Sequence, residues 1–389
     1  MWKLAALALL VQGWAGCSSG PGRSAAFTTS GMVSAGSRTY YATPTNAAPA
    51  PPAPAAPAPE PPAPLPVVAA PAPVVPVTPI VVPPTEAAWP TNWVNAWVPL
   101  ESWGQFNGLA KPASLTPQAG TTSPSFQFRT TNGGTLTVKM GSRVAWSDGL
   151  ECWLGFAPQL IKGVPYIHSS DAQKSFQPLL KPFAQTGKPP RVIVLDPGHG
   201  GKDSGTKSCL NNEYEKHYTL DWARRIERLL VTNGWEVVLT RTNDSEISLS
   251  NRVAVADRVN ADLFLSLHFN SGTPNPELAG LETYCLTPVG MPSNLLRAYE
   301  DDPQQCFPNN AFDEENLQYA VNLHRGLVRA TNATDRGVRR ARFMGVLRGQ
   351  KRPAVLIEGG YLSNPKEARK IATSTYRQTM AEAVARALE

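Results

Sequence analysis

The 389-residue sequence predicts an α/β fold in its second half: a three-layer sandwich, with a twisted, mostly parallel sheet flanked by helices. Three observations predict it. Short β-branched apolar runs recur from residue 191 onward, and two of them end in a polar residue followed by glycines. Segments with helical spacing alternate with those runs. Upstream the composition changes twice, which predicts a small mostly-β domain preceded by a disordered Pro-rich linker.

In order, the apolar runs place strands at 191–195, 236–240, 263–268, 281–285, 343–347 and 354–358. The first, Val192-Ile193-Val194-Leu195, runs into Asp196-Pro197-Gly198-His199-Gly200-Gly201, a turn with one histidine between glycines. Tyr218, Trp222, Ile226, Leu229 and Leu230 share one helix face, with Asn211 or Asn212 as cap, Glu215 near the first turn and Gly234 at the end. Leu263, Leu265 and Leu267 alternate toward His268, and Ala354-Val355-Leu356-Ile357 ends in Glu358.

Three strands thus end in His199, His268 and Glu358, and a helix start adds Glu215. In open α/β sheets, ligands bind beyond the carboxyl ends of the strands. Two imidazoles and one carboxylate suit a catalytic Zn²⁺, and a remaining carboxylate suits a general base and acid. Spacing does not say which glutamate plays which part, and a first-turn glutamate also complements the helix dipole with no ligand role. His217, two residues past Glu215, points elsewhere on a helix, and His324 lies on an amphipathic helix as a surface or packing residue. His168 belongs to the upstream unit. Asp196 is read equally as an acceptor for the His199 imidazole and as a turn former. Arg241 and Arg252 are read first as structural ion-pair partners, and Cys209 as a structural loop thiol.

From Arg191 to the end, the chain resembles the zinc-dependent N-acetylmuramoyl-L-alanine amidases of bacterial cell-wall turnover. The resemblance rests on residues 196–201, Glu215-Lys216, Val238-Leu239-Thr240-Arg241, Leu249-Ser250-Asn251-Arg252 and Ser266-Leu267-His268-Phe269-Asn270. It continues in Arg336-Gly337-Val338, Val346-Leu347-Arg348 and 357–365. It implies His199, Glu215 and His268 as Zn²⁺ ligands and Glu358 as the catalytic glutamate. The implied reaction is hydrolysis of the amide between the lactyl group of N-acetylmuramic acid and L-alanine of the peptidoglycan stem peptide. Cell-wall remodelling or daughter-cell separation is the implied role. Gly360-Tyr361 stands where such enzymes often have Gly-Phe, and Cys209 lies between two ligands. Two other classes stay open: another zinc peptidoglycan peptidase, and an inactive wall-binding regulator, which the intact His-Glu-His-Glu set opposes. Some relatives carry an inserted helix that blocks the zinc site until a partner removes it. Here residues 286–315 hold prolines at both ends and few apolar residues, so we read a loop at the groove, with Glu300 leaving the zinc open. No activating protein is identified.

Upstream, residues 1–17 read as a lipoprotein-type signal peptide: Lys3, the apolar run Leu4 to Val11, then Gly16-Cys17. The end of this segment resembles a bacterial lipobox; the resemblance implies a lipid on Cys17 and, through Ser18, the outer membrane, so the chain is expected to be exported and periplasmic. Residues 18–91 are Ser/Thr-rich and then Pro/Ala-rich; at about 3.1 Å per residue the Pro/Ala tract spans on the order of 100 Å when extended. Residues 92–183 show short strands with Asn132-Gly133-Gly134, Asp148-Gly149 and Lys162-Gly163 as turns. This part resembles the small stalk-like domain named after the copper amine oxidase N-terminal domain, and a wall-binding or spacer role follows as readily as a structural one. The catalytic domain is taken as 190–389. Of five cysteines, Cys285 and Cys306 flank the insert and are the expected disulfide; Cys152 and Cys209 stay free. The net charge of +6 is spread along the chain, and with no basic-aromatic module in a chain expected to be exported, no nucleic-acid partner is expected.

Overall fold

The computed structural model describes residues 89–115, 123–183, 185, 187, 189, 191–296 and 301–389. The expected signal segment, Cys17, nearly all of the linker and Glu300 lie outside the described residues.

The upstream elements are β1 (Trp97–Pro99), α1 (Leu100–Phe106), β2 (Ala113–Leu115), β3 (Ser125–Arg129), β4 (Thr135–Lys139), β5 (Val144–Ser147), β6 (Leu150–Trp153), β7 (Gln159–Ile161) and β8 (Val164–His168). A helical stretch follows, α2 (Ser169–Asp171), a π-helical turn and α3 (Gln177–Leu180). Asp148-Gly149 and Lys162-Gly163 each place both central turn residues at positive φ, 51° and 81° in one and 52° and 80° in the other. That is the turn geometry whose twist matches the strands it joins, so β5–β6 and β7–β8 form hairpins.

The downstream elements are β9 (Val192–Pro197), α4 (Glu215–Thr232), β10 (Glu236–Leu239), α5 (Leu249–Arg258), β11 (Leu263–Asn270), β12 (Leu281–Cys285), α6 (Asp313–Thr331), β13 (Asp335–Arg340), α7 (Gly345–Arg348), β14 (Ala354–Tyr361), α8 (Pro365–Ala372) and α9 (Ser374–Ala387). One eleven-stranded sheet has the order β10-β9-β11-β14-β12-β13-β6-β5-β4-β3-β2. From β10 to β13 every neighbouring pair is parallel except β14–β12.

Alternation along the strands makes the three layers. Ile193, Leu195, Leu265 and Ile357 face Trp222 and Ile226 of α4, Leu323 and Leu327 of α6, and Met380 and Val384 of α9. Val194, Phe264, Tyr284 and Leu356 face the other way, onto Ala256 of α5 and Leu347 of α7. Each buried Val, Leu, Ile, Phe or Met among them contributes about 1.5–3 kcal/mol. No helix of the described residues is long and apolar enough to cross a membrane.

Three expectations are corrected. Residues 343–347 are not a strand; α7 packs Val346 and Leu347 into the core as a helical turn, and β13 takes the place beside β12. A short apolar run does not distinguish helix from strand. Neither Asn211 nor Asn212 caps α4; Tyr214 holds that position, and the Asn211 side chain bonds Tyr218 and the amide of Glu213. Cys285 and Cys306 are both free: Cys285 is buried, with Sγ 3.9 Å from the Arg339 carbonyl, and Cys306 is exposed. The insert is a loop from 286 to 307 among the described residues, held instead by arginines. Arg342 donates to Asp301 and to the carbonyls of Pro288 and Met291, and Arg143 donates to those of Pro292 and Ser293.

Candidate active site and metal centre

The carboxyl ends of β9, β11 and β14 lie side by side, since β11 pairs with both neighbours in parallel. The turn after β9 carries His199 at φ 62°. Two buried arginines hold that turn. Arg252 donates to Asp196 Oδ1 at 2.7 Å and to the His199 carbonyl at 2.8 Å. Arg241 donates to the carbonyls of Gly198 and Lys216, both at 2.8 Å, and so ties the turn to the first turn of α4. Gly198 has no side chain because a Cβ there would lie 2.3 Å from His268 Cε1. At Gly205 a Cβ would lie 2.6 Å from both Glu215 Oε2 and His199 Cδ2.

Glu215 stands between the two imidazoles. Its Oε1 is 3.0 Å from His268 Nδ1 and 3.1 Å from His199 Nε2, and accepts the Phe269 amide at 3.0 Å. Its Oε2 accepts the Thr206 amide at 2.9 Å. Burial works to raise its pKa, but the imidazoles outweigh it and hold the carboxyl well below the usual range. His199 shows the converse: burial opposes its charge, yet Glu215 and Asp203 push it up to about 10. Its Nδ1 lies 2.8 Å from Asp203 Oδ1. The structure therefore gives the His199 imidazole to Asp203, and Asp196 instead takes Arg252, Thr240 and Ser266. Asp203, four residues past His199 in a polar loop, was not singled out from sequence.

The donor atoms of His199, Glu215 and His268 all lie within 4.8 Å of one another. His199 Nε2 is buried and accepts or donates no well-formed hydrogen bond. With Nδ1 turned to Asp203, Nε2 is the ring nitrogen that faces the cluster, and a cation that displaced its proton would take it as a ligand. Two imidazoles and one carboxylate around a shared point fit a Zn²⁺-type ion with a position left open.

Glu358 completes the site. In the sheet register it stands opposite His268 on one side and Glu282 on the other. Paired residues on adjacent strands put their side chains on the same face. Glu358 is buried, its Oε2 has no partner, and burial together with Glu215 and Glu282 holds its carboxyl well above the usual range. Glu282 also went unnoticed in the sequence. It is 1% exposed and accepts from Tyr284, Tyr361, Arg336 and Asn270.

The other candidates lie elsewhere. His217 is exposed and pairs with Glu213 at 2.7 Å. His324 is fully buried between Thr283 and Asp335. His168 caps Ser170, and Cys209 is an exposed free thiol.

A parallel-sheet rim that gathers two imidazoles, a buried carboxylate and a second, unpaired carboxyl group has the make-up of a hydrolase site. The chain matches the N-acetylmuramoyl-L-alanine amidase family over residues 193–389, half of its length, and belongs to that family. It is 31% identical to the N-acetylmuramoyl-L-alanine amidase AmiA of Escherichia coli strain K12 over 226 residues, covering 53% of this chain and 77% of that one. It is 34% identical to the sporulation-specific N-acetylmuramoyl-L-alanine amidase of Bacillus subtilis strain 168, over 51% of this chain and 66% of that one. Among solved structures, AmiC2 of Nostoc punctiforme is 32% identical, covers 52% of this chain and 97% of that one, and has a TM-score of 0.43. The protein is an enzyme of this amidase class, acting on the cell wall.

Proposed function

We propose that the protein is a Zn²⁺-dependent hydrolase of the amide between the lactyl group of N-acetylmuramic acid and L-alanine of the stem peptide. His199, Glu215 and His268 hold the ion and Glu358 is the catalytic acid and base. The observation that carries this reading is Glu358: buried, unpaired at Oε2, and next to His268 in the register. The bound ion supplies a Lewis acid for the scissile carbonyl. Glu358 takes the proton of the attacking water and passes it to the leaving nitrogen of alanine. Burial and its carboxylate neighbours favour the protonated form that the second transfer needs, and a cation beside it favours the ionised form that the first needs. Asp203 keeps the His199 tautomer, and Arg241 and Arg252 keep the turn in place.

The sequence supports an exported chain, anchored at the outer membrane through Cys17 and reaching the wall by its Pro-rich tract, in wall remodelling or cell separation. The test is a muropeptide digest with and without a chelator, read by mass spectrometry. Sugar-free stem peptides beginning with alanine, lost on chelation and restored by Zn²⁺, support the reading. Cuts within the stem would move it to the peptidases.

A further inference from the structure

The upstream unit extends the catalytic sheet. β6 pairs with β13 in parallel through Cys152 and Val338, and the Glu151 amide donates to Asp335 Oδ2 at 2.8 Å. The row of side chains that starts at His268 and Glu358 therefore continues through Glu282 on β12 and Arg336 and Arg339 on β13 to Trp153 on β6. Strands lie about 4.8 Å apart, which puts β13 roughly 10 Å and β6 roughly 14 Å from β14. An extended peptide advances about 3.3–3.6 Å per residue, so three or four residues cover that span.

The far end of this row has the chemistry to hold a carboxylate. Arg336 donates Nε to Glu282 Oε1 at 2.7 Å, and its Cζ lies 5.4 Å from the centre of the Tyr361 ring. Among the described residues it donates no other hydrogen bond, so both amino groups of its fork are open, on a side chain 25% exposed. Arg339 gives Nε to the Arg336 carbonyl and lies with Cζ 4.4 Å from the Trp153 ring centre. Trp153 Nε1 is buried and donates to nothing. Gly337 lets the indole sit against β13, since a Cβ there would lie 2.8 Å from Trp153 Cδ1. Glu282 and Glu151 face the two guanidinium groups, while Asp335 is taken by His324 and by the amides of Glu151 and Gly337. A guanidinium fork fixed at Nε and open at its amino groups is the standard partner of a carboxylate.

We infer that Arg336 is a specificity-determining residue, which with Arg339 stacked on Trp153 forms a subsite for a stem-peptide carboxylate about three residues from the scissile amide. Glu282 is its positioning residue, and the upstream unit supplies one wall of the substrate groove through Trp153. This rests on the amidase reading above.

The full chain is titrated with a muramoyl pentapeptide and with the same compound amidated at every carboxyl group. The free acid binds roughly tenfold or more tightly than the amide, and Arg336→Gln removes the difference. Trp153→Ala weakens the free acid selectively and Trp153→Phe restores part of it. If Arg336→Gln fails to fold, Arg336→Lys and the two Trp153 variants carry the same comparison. A folded variant that keeps the full preference for the acid overturns the subsite. Release of pentapeptide is followed in the same samples. Binding with discrimination but no release strikes the amidase reading and leaves the subsite standing, and release with unaltered discrimination strikes the subsite alone.

Discussion

Asp203 Oδ1 lies 2.8 Å from His199 Nδ1, on the far side of the imidazole from Glu215. The contact orients the ring and holds a proton on Nδ1, so that a bound cation would displace the proton from Nε2, the atom turned toward the cluster. Asp203→Ala should weaken Zn²⁺ binding about 10–100-fold in competition with a chromogenic chelator. Asp203→Asn, which keeps an acceptor, should lose less. Equal affinities in all three proteins would assign Asp203 to loop shape alone, through its contact with the Gly205 amide.

Asp196 and Arg252 form a buried pair at 2.7 Å beneath the turn, and Thr240 and Ser266 donate to the same carboxylate. Burial opposes the charge, but Arg252 and these hydrogen bonds outweigh it, so the folded carboxyl lies below its usual pKa. A group depressed in this way adds stability above the unfolded value, about pH 4, and loses it as pH falls through the folded value. Arg252→Ala should cost about 3–5 kcal/mol in denaturant unfolding at neutral pH. Compared with Asp196→Asn, the wild type should lose stability more steeply below about pH 4. Parallel acid profiles would contradict the pair's role.

Removing the upstream unit leaves β13 as an open edge and takes from Arg340 its partners Ser175 and Lys174. A chain beginning at Arg191 should therefore melt at least ~5 °C lower and associate through that edge. Scanning calorimetry and sedimentation read both effects. An unchanged, monomeric truncation would show that β6 adds nothing to the sheet.

The insert is fixed by Arg342, which is buried and pairs with Asp301 at 2.7 Å while donating to two insert carbonyls. Asp301→Ala should destabilise the protein by about 3 kcal/mol without raising its rate of dye release from sacculi. A large rate gain in a variant that still binds zinc would mark the insert as a gate.

The four residues proposed for the chemistry were legible because each sits where a periodic pattern stops. His268 and Glu358 are the polar residues that interrupt apolar runs in the sequence, although β11 and β14 continue past them to Asn270 and Tyr361; His199 sits between glycines after β9, and Glu215 opens an amphipathic helix. β13 was not legible, because Asp335-Arg336-Gly337-Val338-Arg339-Arg340 holds one aliphatic side chain. It is an interior strand only because Glu282, Trp153 and Ser175 wait for its arginines. Its pairing with β6 joins residues nearly 190 positions apart and leaves no local mark. Asp203 left a weak mark, the four-residue offset from His199. Glu282 left none, since its partners Asn270, Arg336 and Tyr361 come from three other strands.

The division between ligands and base is tested most directly at Glu358. Glu358→Gln keeps the shape of the site and removes proton transfer. The purified variant should hold as much Zn²⁺ as the wild type by metal analysis, while turnover on a muramoyl pentapeptide falls by about 10²–10⁴-fold. His199→Ala and His268→Ala, assayed beside it, should lose the metal. Near wild-type turnover by a zinc-loaded Glu358→Gln protein, or full zinc in either histidine variant, would contradict the account.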